Sequence, residues 1–109
     1  MAGTFTIKLL AQGQLPNAKG TLYTTPASTQ TIIKTITLVN TDIIAENVNL
    51  YIKDSAGTSK SIIPVDCVLG IKYLLETDQE YTLEAGDLIE GDANTAAKVD
   101  YTINGIEES

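Results

Sequence analysis

The sequence predicts an all-β protein: a single β-sandwich of about eight strands with a jelly-roll-like layout. Three observations predict it. Apolar and polar residues alternate along nearly every segment, most clearly in Val48-Asn49-Leu50-Tyr51-Ile52-Lys53 and Val99-Asp100-Tyr101-Thr102-Ile103-Asn104. A period of two over six residues turns one face to a core and the other to water. Turn signals recur about every ten residues, the spacing of sandwiches and small barrels. No segment sustains a helical period. The apolar residues are mostly Ile, Leu and Val, with abundant Thr, and β-branched side chains suit a pleated surface.

Each element follows from local signals. Phe5 to Gln12 reads as the first strand, with Phe5, Ile7 and Leu9 on one face. A turn around Leu15-Pro16-Asn17-Ala18 leads to a short strand from Gly20 to Thr24, ended by Pro26. Thr31 to Asn40 is the longest strand. Its expected inward set is Ile32, Ile36 and Leu38, interrupted by Lys34, with Ile33 and Val39 on the opposite face. After the loop 41–46, Asn47 to Lys53 is the next strand. The turn Asp54-Ser55-Ala56-Gly57-Thr58 places Asp and Gly in their usual turn positions, and Ser59 to Ile63 runs on to Pro64. Residues 64–70 read as a loop with room for one helical turn. Lys72 to Leu75 and Glu80 to Leu83 are short strands, Glu84-Ala85-Gly86-Asp87 is a turn, and Leu88 to Gly91 is extended. Asp92 to Ala97 reads as a small-residue loop, Lys98 to Ile106 closes the fold, and Glu107-Glu108-Ser109 reads as a solvated tail. Residues 1–109 form one domain, a size that buries enough surface for a core without disulfides or metal.

Composition excludes several functions. Fourteen acidic residues against seven basic ones give a net charge of −7. All seven basic residues are Lys, scattered along the chain. Such a chain repels phosphate backbones and lacks the Arg fork that reads phosphates and base edges, so neither nucleic acid nor an anionic membrane is an expected partner. Met1-Ala2-Gly3-Thr4 shows no basic segment followed by an apolar run, which argues against a signal peptide and for folding in a cytoplasm. No apolar stretch approaches a membrane span.

Catalytic chemistry is poorly provided for. There is no His, so no Ser-His-Asp or Cys-His arrangement is possible, and no cofactor is implied. Cys67 lies between Val65 and Leu69 and reads as a small buried hydrophobe. Glu84, Asp87, Glu90 and Asp92 could act as paired carboxylates or as hard oxygen ligands for calcium. They lack the order of an EF-hand loop, and no Trp offers a sugar platform, so they read as solvated turn residues. The chain is not expected to be an enzyme.

Surface character is more informative. By alternation Tyr81 and Tyr101 point inward as core edges, whereas Tyr51 points outward among Asn47, Asn49 and Lys53. Ile43-Ile44 sits at a loop tip between Asp42 and Glu46, where two adjacent branched residues are hard to bury together. Val65, Val68, Leu69 and Ile71 raise the same question. Exposed apolar groups mark contacts, so Ile43, Ile44, Tyr51, Val65, Val68 and Leu69 are the candidate interface, and self-association is expected.

The segments Leu9-Leu10-Ala11-Gln12-Gly13-Gln14-Leu15-Pro16, Gly20-Thr21-Leu22-Tyr23-Thr24-Thr25-Pro26-Ala27 and Ile33 to Thr41 resemble small virion proteins of tailed bacteriophages. So do Val48 to Ile52, Thr82 to Gly91 and Tyr101 to Glu108, so the resemblance spans nearly the whole chain. Its motifs are turns and strand alternations. The resemblance implies a non-enzymatic part of a virion. Such parts include capsid decoration (cement) proteins, often trimers docked on the major capsid protein at the capsid exterior, and tail, neck or fibre-associated proteins. A receptor- or carbohydrate-binding module is the alternative from another class.

Overall fold

The computed structural model describes residues 4–109; Met1-Ala2-Gly3, part of the leader argument, lies outside them. Ten strands follow in chain order: β1 (Phe5–Gln14), β2 (Gly20–Thr24), β3 (Gln30–Asn40), β4 (Glu46–Lys53), β5 (Ser59–Ser61), β6 (Cys67–Leu69), β7 (Leu74–Thr77), β8 (Tyr81–Leu83), β9 (Leu88–Ala93) and β10 (Val99–Glu108). Among the described residues there is no helix. One sheet runs β1-β10-β3-β7 with β8 also on β3; the other runs β2-β9-β4-β5 with β6 also on β4. All pairings are antiparallel.

The first four strands alternate between the two sheets, and the last strand returns beside the first. This is the jelly-roll order. The ten strands fill eight positions, because β5 and β6 pair with successive stretches of β4, and β7 and β8 with successive stretches of β3. The stretch expected as a loop over 64–70 thus contains β6. Pro64 cannot donate to a ladder, so it ends β5. The register on β4 then jumps from Tyr51↔Ser61 to Val48↔Cys67. Asp66, at φ 53°, turns the chain back, and its N–H donates to Asn49 Oδ1 at 2.8 Å.

Bulges decide which faces are buried. Between β3 and β10 the pairs are Asn104↔Thr35 and then Gly105↔Ile33, so Lys34 has no residue opposite it. An extra residue reverses the in–out phase. The inward set of β3 is therefore Ile33, Ile36 and Leu38, and Ile32 lies on the outer side, half-buried. This corrects the expected placement of Ile32 and Ile33. A second bulge leaves Leu10 unopposed between Leu9↔Asn104 and Ala11↔Ile103. Phe5, Ile7 and Leu9 do share a face, and it is the solvent face: Ile7 is 84% exposed.

The core lies between the sheets. Ile33, Ile36, Leu38 and Ile103 meet Val48, Leu50 and Ile89, all essentially inaccessible. Tyr81 and Tyr101 pack at its margin, half-buried. One polar clamp also spans the layers. Tyr23 of β2 donates to Glu107 Oε2 of β10 at 2.6 Å, and the Thr31 hydroxyl lies 2.8 Å from the same phenol oxygen. Because the Tyr23 proton goes to Glu107, Thr31 donates to Tyr23. Lys8 closes the cluster 3.1 Å from Glu107 Oε1. Burial, reinforced by Glu107, pushes the Tyr23 phenol up to about 12. The same hydrogen bond, with Lys8, holds the Glu107 carboxyl below its usual range.

Two outcomes check this account. A Cβ at Gly105 would lie 2.2 Å from the Ile32 carbonyl oxygen, so Gly105→Ala destabilises by about 3 kcal/mol in urea unfolding. Tyr23→Phe costs about 1.5–3 kcal/mol, as for loss of a charge-assisted bond. Glu107 has a lowered carboxyl, so its contribution is present above the ordinary carboxylate range and fades as pH falls through its native value. The Tyr23→Phe deficit therefore shrinks in acid, which a pH series of unfolding curves reads directly.

Candidate functional site

The ends of the sandwich differ in character. At one end lie the loop after β3 (41–45), the residues between β6 and β7 (70–73) and the loop before β10 (94–98). They are brought together because β3 and β6 end there, while β4, β7 and β10 begin there.

Asn40, the last residue of β3, organises this end. It is buried, at 1% exposure. Its side-chain Nδ2 lies 2.9 Å from the Ile44 carbonyl, 3.0 Å from that of Leu69 and 3.2 Å from that of Gly70. Its Oδ1 accepts the Asp42 N–H at 2.8 Å. One amide thus satisfies backbone groups of two neighbouring segments, the loop after β3 and the end of β6, as buried polar groups require. Thr41 adds its N–H and its hydroxyl to the Lys98 carbonyl, at 2.8 and 2.7 Å. A loop held this way cannot fold its apolar tip onto the sheets.

Accordingly Ile43 is 82% exposed and Ile44 52% exposed. Ile71, Tyr73 and Leu74 of the neighbouring segment are exposed too, and so is Val39 at the end of β3. Leu74 sits opposite Val39 across the β3–β7 ladder. The result is an apolar surface on a strongly acidic chain.

The other candidate residues are placed as follows. Val65 and Val68 are exposed along the β5–β6 edge, with Val68 opposite Asn47. Leu69 is not a surface residue: it is 4% exposed and belongs to the core. Its pairing with Glu46, one step from Val68, turns it inward. Tyr51 points outward from β4 but is half-buried, and the Lys19 ammonium covers its ring at 4.1 Å from the centroid. Burial, with Asp92, Asp66 and Glu90 nearby, raises its phenol. Cys67 is a free thiol packed against the core. Ile71, Tyr73, Leu74 and Val39 complete the loop end; the exposed Val39 of the long alternating strand was the available sequence signal.

The acidic residues near the second turn are engaged separately. Asp87 accepts the N–H groups of Glu84 and Ser55, Glu84 holds Gln30, Glu90 accepts from Ser59, and Asp92 accepts from Asn49. Among the described residues no group of three or more Cys, Asp or Glu side chains converges on a metal position. At the opposite end of the sandwich an open depression of about 330 Å³ is lined by Ser28, Thr29, Gln30, Glu84, Ala85 and Glu108, among others. Its lining mixes polar and apolar surface, with the Glu84 and Glu108 carboxylates among its residues.

No protein-family model and no curated protein matches the chain. Solved structures do. A chain of Bacillus endospore appendages, a family of disulfide-linked pili, aligns at a TM-score of 0.58 with 11% identity, over 98% of this chain and 89% of that one. A chain of the acid-stable capsid of Helicobacter pylori bacteriophage KHP30 gives 0.56 with 11% identity, over 98% and 93%. A chain of infectious bursal disease virus, Gx strain, gives 0.53 with 10% identity, over 97% of this chain and 32% of that one. What is shared at these identities is the fold. Phage-capsid, virus and pilus structures all contain it.

The Asn40 hub makes a specific prediction. Asn40→Ala leaves three carbonyls and one N–H without their partner, and destabilises by about 2–4 kcal/mol in urea unfolding. A loss below about 1 kcal/mol would mean that water replaces the amide and the loop end is not held by it.

Proposed function

We propose that this chain is a structural protein of a bacteriophage particle, and specifically a capsid decoration protein that docks on the assembled head and stabilises it. The observation that carries the reading is the apolar loop end, in which Ile43, Ile44, Ile71, Tyr73 and Leu74 are held out from an acidic domain by buried hydrogen bonds. Such a surface suits a shape-complementary contact. The KHP30 capsid chain has nearly the same extent, so a capsid can include a chain that is little more than one such domain.

The physics of decoration fits these features. A ligand that binds the assembled state better than free subunits stabilises the assembly. Copies that also contact one another, as a homotrimer would, gain strength from multivalency on a symmetric shell. Net negative charge favours the exterior of a shell over the side facing packaged DNA. On this reading the contribution of the domain is mechanical, in keeping with a chain that has no His.

A tail, neck or fibre-associated role is the second reading. It is supported by the likeness to pilus subunits and by the elongated shape, 50 × 26 × 20 Å. Copy number separates the two. Quantitative mass spectrometry of purified virions gives hundreds of copies for a head decoration protein and a handful for a tail component.

The loop end is tested by the double substitution I43S/I44S. Both residues are exposed, so the thermal midpoint moves by less than about 5 °C. Retention on purified shells in a co-sedimentation assay falls by about tenfold, equivalent to roughly 1.4 kcal/mol. Unchanged retention with an intact fold would remove this end as the docking surface.

A further inference from the structure

Beneath the exposed pair lies a feature that the proposed function does not use. Glu46, the first residue of β4, is completely buried. Its Oε1 accepts the Thr95 N–H at 3.0 Å, while its Oε2 is buried with no donor. Besides the Thr95 hydroxyl, the polar neighbour is another carboxyl, that of Asp42, which is itself nearly buried and accepts the Ile43 N–H at 2.7 Å. Two carboxylates cannot hydrogen-bond each other, and an unpaired buried charge is costly. With a single proton between them, Oε2 becomes a donor to Asp42 and every group at the contact is satisfied.

A cation is a poor alternative occupant. Only two carboxyls meet here, and among the described residues no group of three or more acidic side chains converges on a metal position, whereas calcium takes about six to eight oxygens. Lys98, just before β10, is the charged group whose field reaches Asp42; it favours negative charge there without supplying the missing donor.

We propose that Asp42 and Glu46 share one proton, and that this proton latches the β3–β4 loop in the conformation that presents Ile43 and Ile44. The latch joins the first residue of β4 to the loop tip and, through Thr95, to the loop before β10. Ile43 and Ile44 lie between the two carboxyls in the chain, so separating the carboxyls moves both residues. This device does not depend on what the loop end docks against.

The charge state follows from the surroundings. Burial pushes the Glu46 carboxyl up, and its hydrogen bond to Asp42 raises it further; the same bond holds Asp42 down. Glu46 therefore keeps its proton in the closed loop above the pH at which an open loop would lose it. Between those two values the closed state binds more protons, so its stability falls as pH rises. Asp42 has the opposite sign: its contribution is lost as pH falls through its lowered value. The loop is most firmly closed between the two, where the pair holds one proton.

The test is a side-chain carboxyl carbon NMR titration of the full chain, combined with amide hydrogen exchange at Ile43 and Thr95. The expected result is a coupled two-step titration, with one proton retained above the ordinary carboxylate range. In that interval the opening constant, corrected for intrinsic exchange, rises about tenfold per pH unit. In E46Q the amide supplies a permanent donor, and the opening constant becomes flat across the same interval. Two independent titrations in the ordinary range, or a pH-independent opening constant in the native chain, would overturn the proposal. So would a shift of both resonances on adding calcium alone, which would make the site a cation site. The native-chain titration decides the matter even if E46Q does not fold.

Discussion

Strand β10 is the element on which the rest of the molecule depends. It is the last strand of the chain, yet it lies between β1 and β3 in the centre of its sheet. Among the described residues β1 has no other ladder partner. The Leu15 N–H at the β1–β2 turn bonds the Val99 carbonyl, and Thr41 at the loop end bonds the Lys98 carbonyl just before β10. Glu107 near its far end receives the clamp from the opposite sheet. Closing the sandwich and shaping both of its ends are thus a single event. Pairings so distant in sequence form only after most of the chain has lost its freedom, which makes such folds slow to form and cooperative once formed.

The same strand explains why the loop end is rigid enough to serve as a surface. Hydrophobic groups at a loop tip ordinarily collapse onto the nearest core. Here the backbone beneath them is committed elsewhere, to Asn40 and to the residues that lead into β10. The apolar surface is therefore a consequence of polar satisfaction below it. The carboxyl pair belongs to the same scheme: Glu46 is buried because β4 begins at this crowded end, and Asp42 is the group available to meet it.

The parts of the fold that were legible in the sequence are those where the period of two runs unbroken. β4 could be read residue by residue and β10 as far as Ile106, beyond which Glu107 and Glu108 looked like a solvated tail but continue the strand; the turns at Gly57 and Gly86, with φ of 96° and 89°, were marked by their glycines. Legibility stopped at the bulges. Lys34 looks like a polar intruder in an inward set, whereas it is the extra residue that exchanges the roles of Ile32 and Ile33. β6 was hidden because Pro64 and three residues of pairing leave no pattern. At the candidate site, Ile43 and Ile44 were visible as apolar residues in a polar loop. Leu69 was misplaced because its inward direction is set by pairing with Glu46, which no local signal reveals. Asp42 and Glu46 look like solvated charges in one dimension; only the closing of the end buries them.

The proposed role requires the loop end to be the face by which this domain joins a larger assembly. A cryo-electron microscopy reconstruction of virions that carry the chain tests it most directly, because the long axis of the domain makes its two ends distinguishable. The account predicts density in which the end bearing Ile43, Ile44, Tyr73 and Leu74 meets the shell, with the depression lined by Ser28, Gln30 and Glu84 pointing away. A domain seated by the opposite end, or by the β1 edge with Phe5 and Ile7 buried against its neighbour, would contradict it.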